Sequence, residues 1–546
     1  MTQDNAEAKR AMDRPQRPLG SYQPTHITAL SREMHRSVEP RSVRNFSPDQ
    51  VTDIPRAPEA NHLDPTDWEG ARTLAYRIID DTIARLSSAG EQPAWQTMPA
   101  RAKASLDGPA PLEPTPLASV YDEFRDVIQP YTADATHPRF WGWYIGGGTF
   151  TGALADFLAA TMNCCAIGGD NAPTYVETQV LQWLKTLFGF PDAASGLLTS
   201  GASVANLIGL TVARDSVGHL PSDADSRSPR PVFYTTSQSH SCNARALKVL
   251  GFQSDALRAV PVNDDFSINC TALERAIVED LACGLRPVGI IATAGTTNTG
   301  AVDDLRRLGQ IARHHELWLH VDAAIGGAAL LATDLKDKLA GIEQADSVGF
   351  DLHKWMQLPI EVGCALVRNA DAHLDSFRVD PDYLKDNSRG VAAKGTWFHQ
   401  YGLQTSRQFR ALKVWMTLKE QGSRRLGAMV SRTAAIARHF GRLIEVEPAL
   451  ELMAPISLNI VCFRYTSKGL TDLQLDQLNN EIMLRLQDSG LAVLSDTRLH
   501  GRRALRAAIA NHRSQYADCE LVVAEVLRLG GMLQRDAGAD VTSLIP

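Results

Sequence analysis

The sequence predicts an α/β protein: a large domain built on a mostly parallel sheet, a smaller α+β domain behind it, and a helical segment in front. Two observations carry that reading. First, short apolar runs (SGLLTS, PVFYTT, VGIIATA, LWLHVDAA, SVGFDLH and GCALVRN) recur through the middle of the chain, with amphipathic stretches between several of them. Runs of that kind are strands buried on both faces, and alternation with helices is how parallel strands are joined. Second, after about residue 430 the rhythm changes to LNIVCFRY, an amphipathic LTDLQLDQLNNEIMLRLQDSG, AVLSDT, ALRAAIANH and a last helix ELVVAEVLRLGGML. A chain of 546 residues has room for both domains.

In chain order, residues 1–60 are rich in Pro, Arg, Ser and Gln without an apolar period, which predicts a flexible arm. Residues 61–135 form the helical segment. From Asp67 onward Trp68, Leu74, Ile78, Ile79, Ile83 and Leu86 favour one helix face, and a second helix, ASVYDEFRDVIQPY, stops at Pro130. The large domain is expected over 136–430 and the small one over 431–546.

Charge and composition exclude several classes. A net charge of −7 leaves no basic excess for phosphate backbones, so nucleic acid is not an expected partner. No apolar run approaches the ~20 residues of a membrane span. The N-terminus lacks the apolar core of a secretory signal, and the cytoplasm is the expected compartment. The eight cysteines show no CxxC and no paired ligand spacing, so they read as buried thiols, and no metal site is expected.

The chemistry collects where the runs end, the edge at which open α/β sheets bind ligands. SVGFDLHKW delivers His353 and Lys354 to a strand end. Taken alone, Lys354 reads as a solvated surface charge, as most lysines are, and its company is what changes that. LHVDAAIGG places Asp322 at the end of an apolar strand, where a carboxylate needs a cationic partner or several donors. A protonated pyridine nitrogen would serve, and small neighbours such as Ala324 leave room for a flat ring; an ordinary turn cap is the competing reading. LLTSGASVAN opens a helix at Ala202 and Ser203, an anion site suited to a phosphate monoester or merely a cap. His240 in SHSCNARALKVLG stands where an imidazole could lie on a ring, although a lone histidine is often structural. Thr296 and Thr297 in ATAGTTNTG offer hydroxyls, and Asp303 and Asp304 read as caps of the next helix.

Jointly and in this order, these segments resemble the group II pyridoxal-5′-phosphate (PLP)-dependent amino-acid decarboxylases, which include the aromatic-amino-acid, glutamate and 2,4-diaminobutyrate enzymes. The resemblance spans roughly residues 130–530 and also takes in HPRFWGWY, DPDYLKD, SRQFRALKVW and LRAAIANHR. It implies the fold type I of PLP enzymes with a seven-stranded sheet, and a homodimer with shared active sites. By position it implies Lys354 as the Schiff-base lysine and His353 beside it near the phosphate. Asp322 falls on the ring nitrogen, Ala324 and His240 on the two ring faces, Thr297 near the ring hydroxyl, and Ala202 with Ser203 at the phosphate. Trp143, Tyr144, Asp170 and Arg407 fall in substrate-lining regions.

The implied reaction is decarboxylation of an L-amino acid to the amine and CO2 through a Schiff base on Lys354 and a quinonoid. In the family a tyrosine on a mobile partner loop returns the proton. Counting back from Arg407 puts Phe398 at that position, with Tyr401 three residues on. If Phe398 replaces the acid, decarboxylation coupled to oxidative deamination, giving an aldehyde, is the alternative. Phe140, Trp141, Trp143 and Tyr144 favour an aromatic substrate, whereas Asp170 would suit a basic, diaminobutyrate-type one. An aminotransferase or carbon–sulfur lyase of the same fold would use an arginine such as Arg506 for the substrate carboxylate.

Overall fold

The computed structural model describes residues 62–217, 229–384, 387–393 and 395–539, and the arm expected over 1–60 lies outside them. The chain divides into two compact units, Met1–Arg72 and Thr73–Pro546. In the first, Asp67 Oδ1 accepts the amides of Glu69 (3.1 Å) and Gly70 (2.9 Å), which explains why a helix, Trp68–Ser87, starts there. Although amphipathic in sequence, that helix buries none of its residues. The second expected helix runs Leu117–Glu123, continues as a π-turn over Phe124–Ile128 and tightens to a 3-10 turn at Gln129–Tyr131. Pro130 lacks the amide that another α-turn would require.

In the second unit the large sheet holds β1 (Ser195–Thr199), β2 (Pro231–Thr236), β3 (Leu257–Val260), β4 (Arg286–Thr293), β5 (Trp318–Asp322), β6 (Ser347–Asp351) and β7 (Gly363–Val367). Their order is β1-β7-β6-β5-β4-β2-β3, and only β7 runs against the rest. The six apolar runs are six of these strands; β1, β6 and β7 are buried at every residue, as near-continuous apolar composition requires. β3 went unpredicted because LRAV is a short edge strand with one buried residue, Val260.

A second, antiparallel sheet contains β8 (Leu450–Leu452), β9 (Ile460–Tyr465), β10 (Ser495–Leu499) and β11 (Arg502–Ala508) in the order β10-β11-β9-β8. Its core joins Phe463 and Leu505 to Ile482 and Val526 of the helices Asp472–Asp488 and Tyr516–Ala539. The boundary read at 430/431 falls inside a long helix, Arg410–Val446, which bends at Gly422 (φ 67°). Val414, Val430 and Ala434 of that helix pack in the large core, whereas Ile436, Phe440 and Ile444 pack in the small one. One helix therefore serves both cores, and no linker separates them. Among the described residues no helix is long and apolar enough to cross a membrane.

Candidate active site

β1, β2, β4, β5 and β6 all point the same way, so the turns after them meet along one sheet edge. There they enclose a cavity of about 410 Å³, closed on the other side by β10, β11 and the Trp143–Tyr144 segment. That size suits a small-molecule site of ~300–1,000 Å³. Lys354, just past β6, enters it with its side chain 22% exposed, and its Nζ lies 2.9 Å from Asp351 Oδ2. Asp322, the last residue of β5, lines the cavity and is buried. Its Oδ1 accepts the Ala324 amide (3.2 Å) and its Oδ2 accepts Asn243 Nδ2 (3.1 Å). A carboxylate has about four acceptor positions, so capacity remains for a donor on the cavity side.

His240 follows β2 and caps the Ser241–Val249 helix, its Nδ1 accepting the Cys242 amide at 3.2 Å. That bond fixes the neutral tautomer with the proton on Nε2, and burial lowers the ring's pKa, which keeps it neutral. Ala202 and Ser203 line the cavity at the start of the Ala202–Ser216 helix. Asp351 Oδ1 accepts the Ala202 amide at 2.6 Å, so one carboxylate ties the lysine to this helix start. His353 stands behind that cradle: its Nδ1 accepts the Val362 amide (3.1 Å) and its Nε2 lies 3.5 Å from Asp351. Burial lowers its pKa too. Thr297 and Ala324 line the cavity, whereas Thr296 is buried in its turn and accepts the Ala301 amide. Asp304 caps the Leu305–His314 helix as expected, but Asp303 instead braces β4 through the Thr293 amide.

Four residues expected at the site stand away from this cavity within the chain. Arg407 is buried and ion-paired with Glu177 at 2.5 Å, and it also donates to the carbonyls of Ala166 and Leu198. Its guanidinium is thus committed to packing. Phe398 is buried beneath it, 5.2 Å from the guanidinium carbon to the ring centroid. Tyr401 lies edge-on to His373 at 5.1 Å, and its carbonyl binds His373 Nε2. Asp170 accepts the Tyr175 hydroxyl at 2.6 Å on an exposed surface. Among the four aromatics of FWGWY, Phe140, Trp141 and Tyr144 are buried, and Tyr144 both lines the cavity and bonds Asn459 (3.0 Å). Trp143 differs: it is 60% exposed at the cavity wall with φ 53°, a left-handed backbone that a tryptophan rarely adopts.

Sequence reasoning missed Asp351, Asn243 and the role of Arg506. The Arg506 guanidinium lines the cavity but donates to the carbonyls of Trp143, Thr297 and Asn298 and to Ser495 Oγ. It pins the cavity wall together rather than standing free for a substrate carboxylate, which removes the motive for the aminotransferase reading. A polar residue closing an otherwise apolar strand (SVGFD), and one on the buried face of SCNARALKV, were the available signals.

A cavity with a lysine amine, a buried acid at the end of the neighbouring strand, a methyl wall at Ala324 and a helix start at Ala202–Ser203 fits PLP in size and donor set. The pyridoxal-dependent decarboxylase conserved domain matches residues 99–466. The chain belongs to this family. It is 33% identical over 454 residues to an aromatic-L-amino-acid decarboxylase of Bacillus atrophaeus, spanning 82% of this chain and 92% of the relative. It is 28% identical over 458 residues to a phenylacetaldehyde synthase of Arabidopsis thaliana, spanning 82% and 93%. A crystal structure of Oryza sativa TDC with PLP and tryptamine shares the fold, with a TM-score of 0.80 at 24% identity over 86% of this chain and 100% of that one. As a member of the family the chain is a PLP-dependent amino-acid carboxy-lyase, on a fold with a mostly parallel seven-stranded sheet and a separate small antiparallel one.

Proposed function

We propose that the substrate is an aromatic L-amino acid and the product its amine. The observation that carries this is Trp143. Its aromatic neighbours are consumed by packing, but its indole remains exposed at the cavity wall in a conformation that costs backbone energy. A large flat surface kept out of the core offers stacking area to an aromatic side chain. The basic-substrate reading loses ground, because Asp170 is engaged with Tyr175 and Asp496, which does line the cavity, is paired with Arg503 at 2.5 Å.

PLP, when bound, supplies the sink for the electrons released with CO2. Lys354 carries the amine that would anchor it, and Asp322 would face its ring nitrogen. His240, with its fixed Nε2–H, would cover one ring face, and Ala202 with Ser203 would hold the phosphate. Thr297 and Ala324 would bound the ring, with His353 bracing the cradle from behind. The Lys354 amine enters the cavity, which supports return of a proton to Cα and hence an amine.

The aldehyde reading has its own support: neither Phe398 nor Tyr401 presents a hydroxyl to this cavity within the chain. Incubating holoenzyme with the protein amino acids plus diaminobutyrate and ornithine, with mass spectrometry and a peroxide assay, tests both. An aromatic amine without peroxide is expected; aldehyde with stoichiometric peroxide overturns the product, and consumption of a basic amino acid overturns the substrate. Lys354→Ala should abolish the ~420 nm absorption of the bound cofactor.

The same reading makes the enzyme a homodimer in the cytoplasm. The Phe150–Met162 helix exposes Phe150, Phe157, Leu158 and Met162, an apolar surface suited to a second copy. The eight free thiols agree with a reducing compartment. Sedimentation should give twice the chain mass for the wild type and single chains for a Phe157→Asp, Leu158→Asp variant; a monomeric, fully active wild type would refute the dimer.

A further inference from the structure

Asn243 has no role in the reading above, yet its environment is unusual. It is fully buried on the Ser241–Val249 helix, one turn after His240, whose carbonyl accepts the Asn243 amide at 3.1 Å. Its side-chain nitrogen donates to Asp322 Oδ2 (3.1 Å) and to Ser239 Oγ (3.1 Å). Its side-chain oxygen, equally buried, has no hydrogen-bond partner. A buried amide normally satisfies both ends. Rotating this one by half a turn would set its oxygen against the Asp322 carboxylate, acceptor facing acceptor. The orientation that leaves the carbonyl orphaned is therefore the one Asp322 demands.

We propose that Asn243 is a positioning residue for the cofactor, acting through Asp322. It clamps Oδ2 from behind while the Ala324 amide clamps Oδ1, so the carboxylate can only present its remaining lone pairs to the cavity. Because Asn243 and His240 share one helical turn, the clamp also fixes the ring-covering imidazole relative to the acid. The group that covers the ring face and the group that faces its nitrogen thus become one rigid unit. This inference rests on the assignment of Asp322 to the ring nitrogen.

Asn243→Leu keeps the volume, removes the clamp and removes the orphaned carbonyl. Loss of a purely structural amide would lower apoprotein stability. The inference instead expects an apoprotein Tm within about 3 °C of wild type, because the substitution also removes an unsatisfied group. The PLP dissociation constant, read by absorbance titration of apoprotein, should rise about tenfold, as loss of one charge-assisted hydrogen bond implies. Asn243→Asp sets two carboxylates within hydrogen-bond distance, so it should bind PLP weakly at pH 8 and recover affinity as one proton is taken up at lower pH. Asn243→Gln, which keeps the donor, should retain most of the affinity.

Unchanged PLP affinity in Asn243→Leu together with a pH-independent Asn243→Asp would overturn the inference. So would a Leu variant whose apoprotein is destabilised while its cofactor affinity is normal. If Asp322→Asn itself binds PLP like the wild type with the same absorption spectrum, the assignment of Asp322 fails instead, and the two failures are told apart.

Discussion

Asp351 sits in the proposed phosphate cradle with the wrong sign. It accepts the Ala202 amide at 2.6 Å, the donor that the helix start would otherwise offer an anion, and it holds Lys354 Nζ at 2.9 Å. A phosphate bound at this helix start would compete with the carboxylate for the amide and approach its charge. At separations of ~5 Å and an effective dielectric constant near 20, such repulsion reaches a few kcal/mol before screening. Asp351→Asn keeps the shape and relieves the repulsion, so the PLP dissociation constant should fall, on the order of tenfold. Titration of apoprotein with PLP checks this, and weaker binding would show that the carboxylate's grip on Lys354 matters more. Asp351 and Asn243 left only slight local signals, a polar end to SVGFD and a polar residue on the buried face of SCNARALKV. Their partners lie 149 and 79 residues away, distances at which no local pattern reports. Lys354 and Asp322 stood out because Asp322 ends one apolar strand and Lys354 closely follows another, and nearness to a strand end is a local property. Arg407 was misplaced for the converse reason: its position in SRQFRALKVW matched the family, but only the fold shows its charge absorbed by Glu177.

At the scale of elements, that buried pair is the clasp of the site's outer wall. Glu177 lies on the Ala172–Phe188 helix, and Arg407 precedes the Arg410–Val446 helix. Glu177 Oε1 also accepts the Leu198 amide (3.1 Å), and Arg407 donates to the Leu198 carbonyl (2.9 Å), so the pair grips β1 from both groups of its backbone. β1 leads directly to the Ala202–Ser203 turn. Glu177→Ala would leave a guanidinium buried without its counter-charge, at a cost of about 3–5 kcal/mol. A clear fall in urea midpoint is expected, with weaker PLP binding because the end of β1 is released. An unchanged midpoint would mean that water enters to solvate Arg407. The strands themselves were readable from composition, since burial on both faces leaves little choice but apolar residues. The long helix was not divisible from sequence, because its two halves face different cores without changing their apolar spacing.

For the whole molecule, the buried histidines set an acid limit. His137, His320 and His373 are each at most 1% exposed. Burial pushes His137 down to about 4, His320 to about 3 and His373 to about 4. His320 also sits between Ser347 Oγ (2.8 Å) and Asn206 Oδ1 (3.1 Å), and His373 between Ser195 Oγ and the Tyr401 carbonyl (2.8 Å each). Each histidine has a folded pKa below its unfolded value of about 6.5. Between those values the unfolded chain binds more protons, so stability is complete above pH ~6.5 and declines as the pH falls toward 4. Each contributes ~1.4 kcal/mol per pH unit inside that window. Asp303 opposes them. Burial raises it to about 6, so the folded state binds its proton more tightly than the unfolded chain, and its contribution grows as the pH falls through 6. Burial and the neighbouring Arg513 also push the partly buried His512 down to about 4, so four groups against one leave a net loss of about 4 kcal/mol per unit between pH 6 and 4. Tm measured from pH 7.5 to 5 should therefore be flat above about 6.5 and drop by about 3 °C per unit below 6. His373→Asn should moderate that slope by the share of one histidine. A Tm that holds level to pH 5 would show that these imidazoles take up protons inside the fold, which their enclosed hydrogen-bonding partners do not allow.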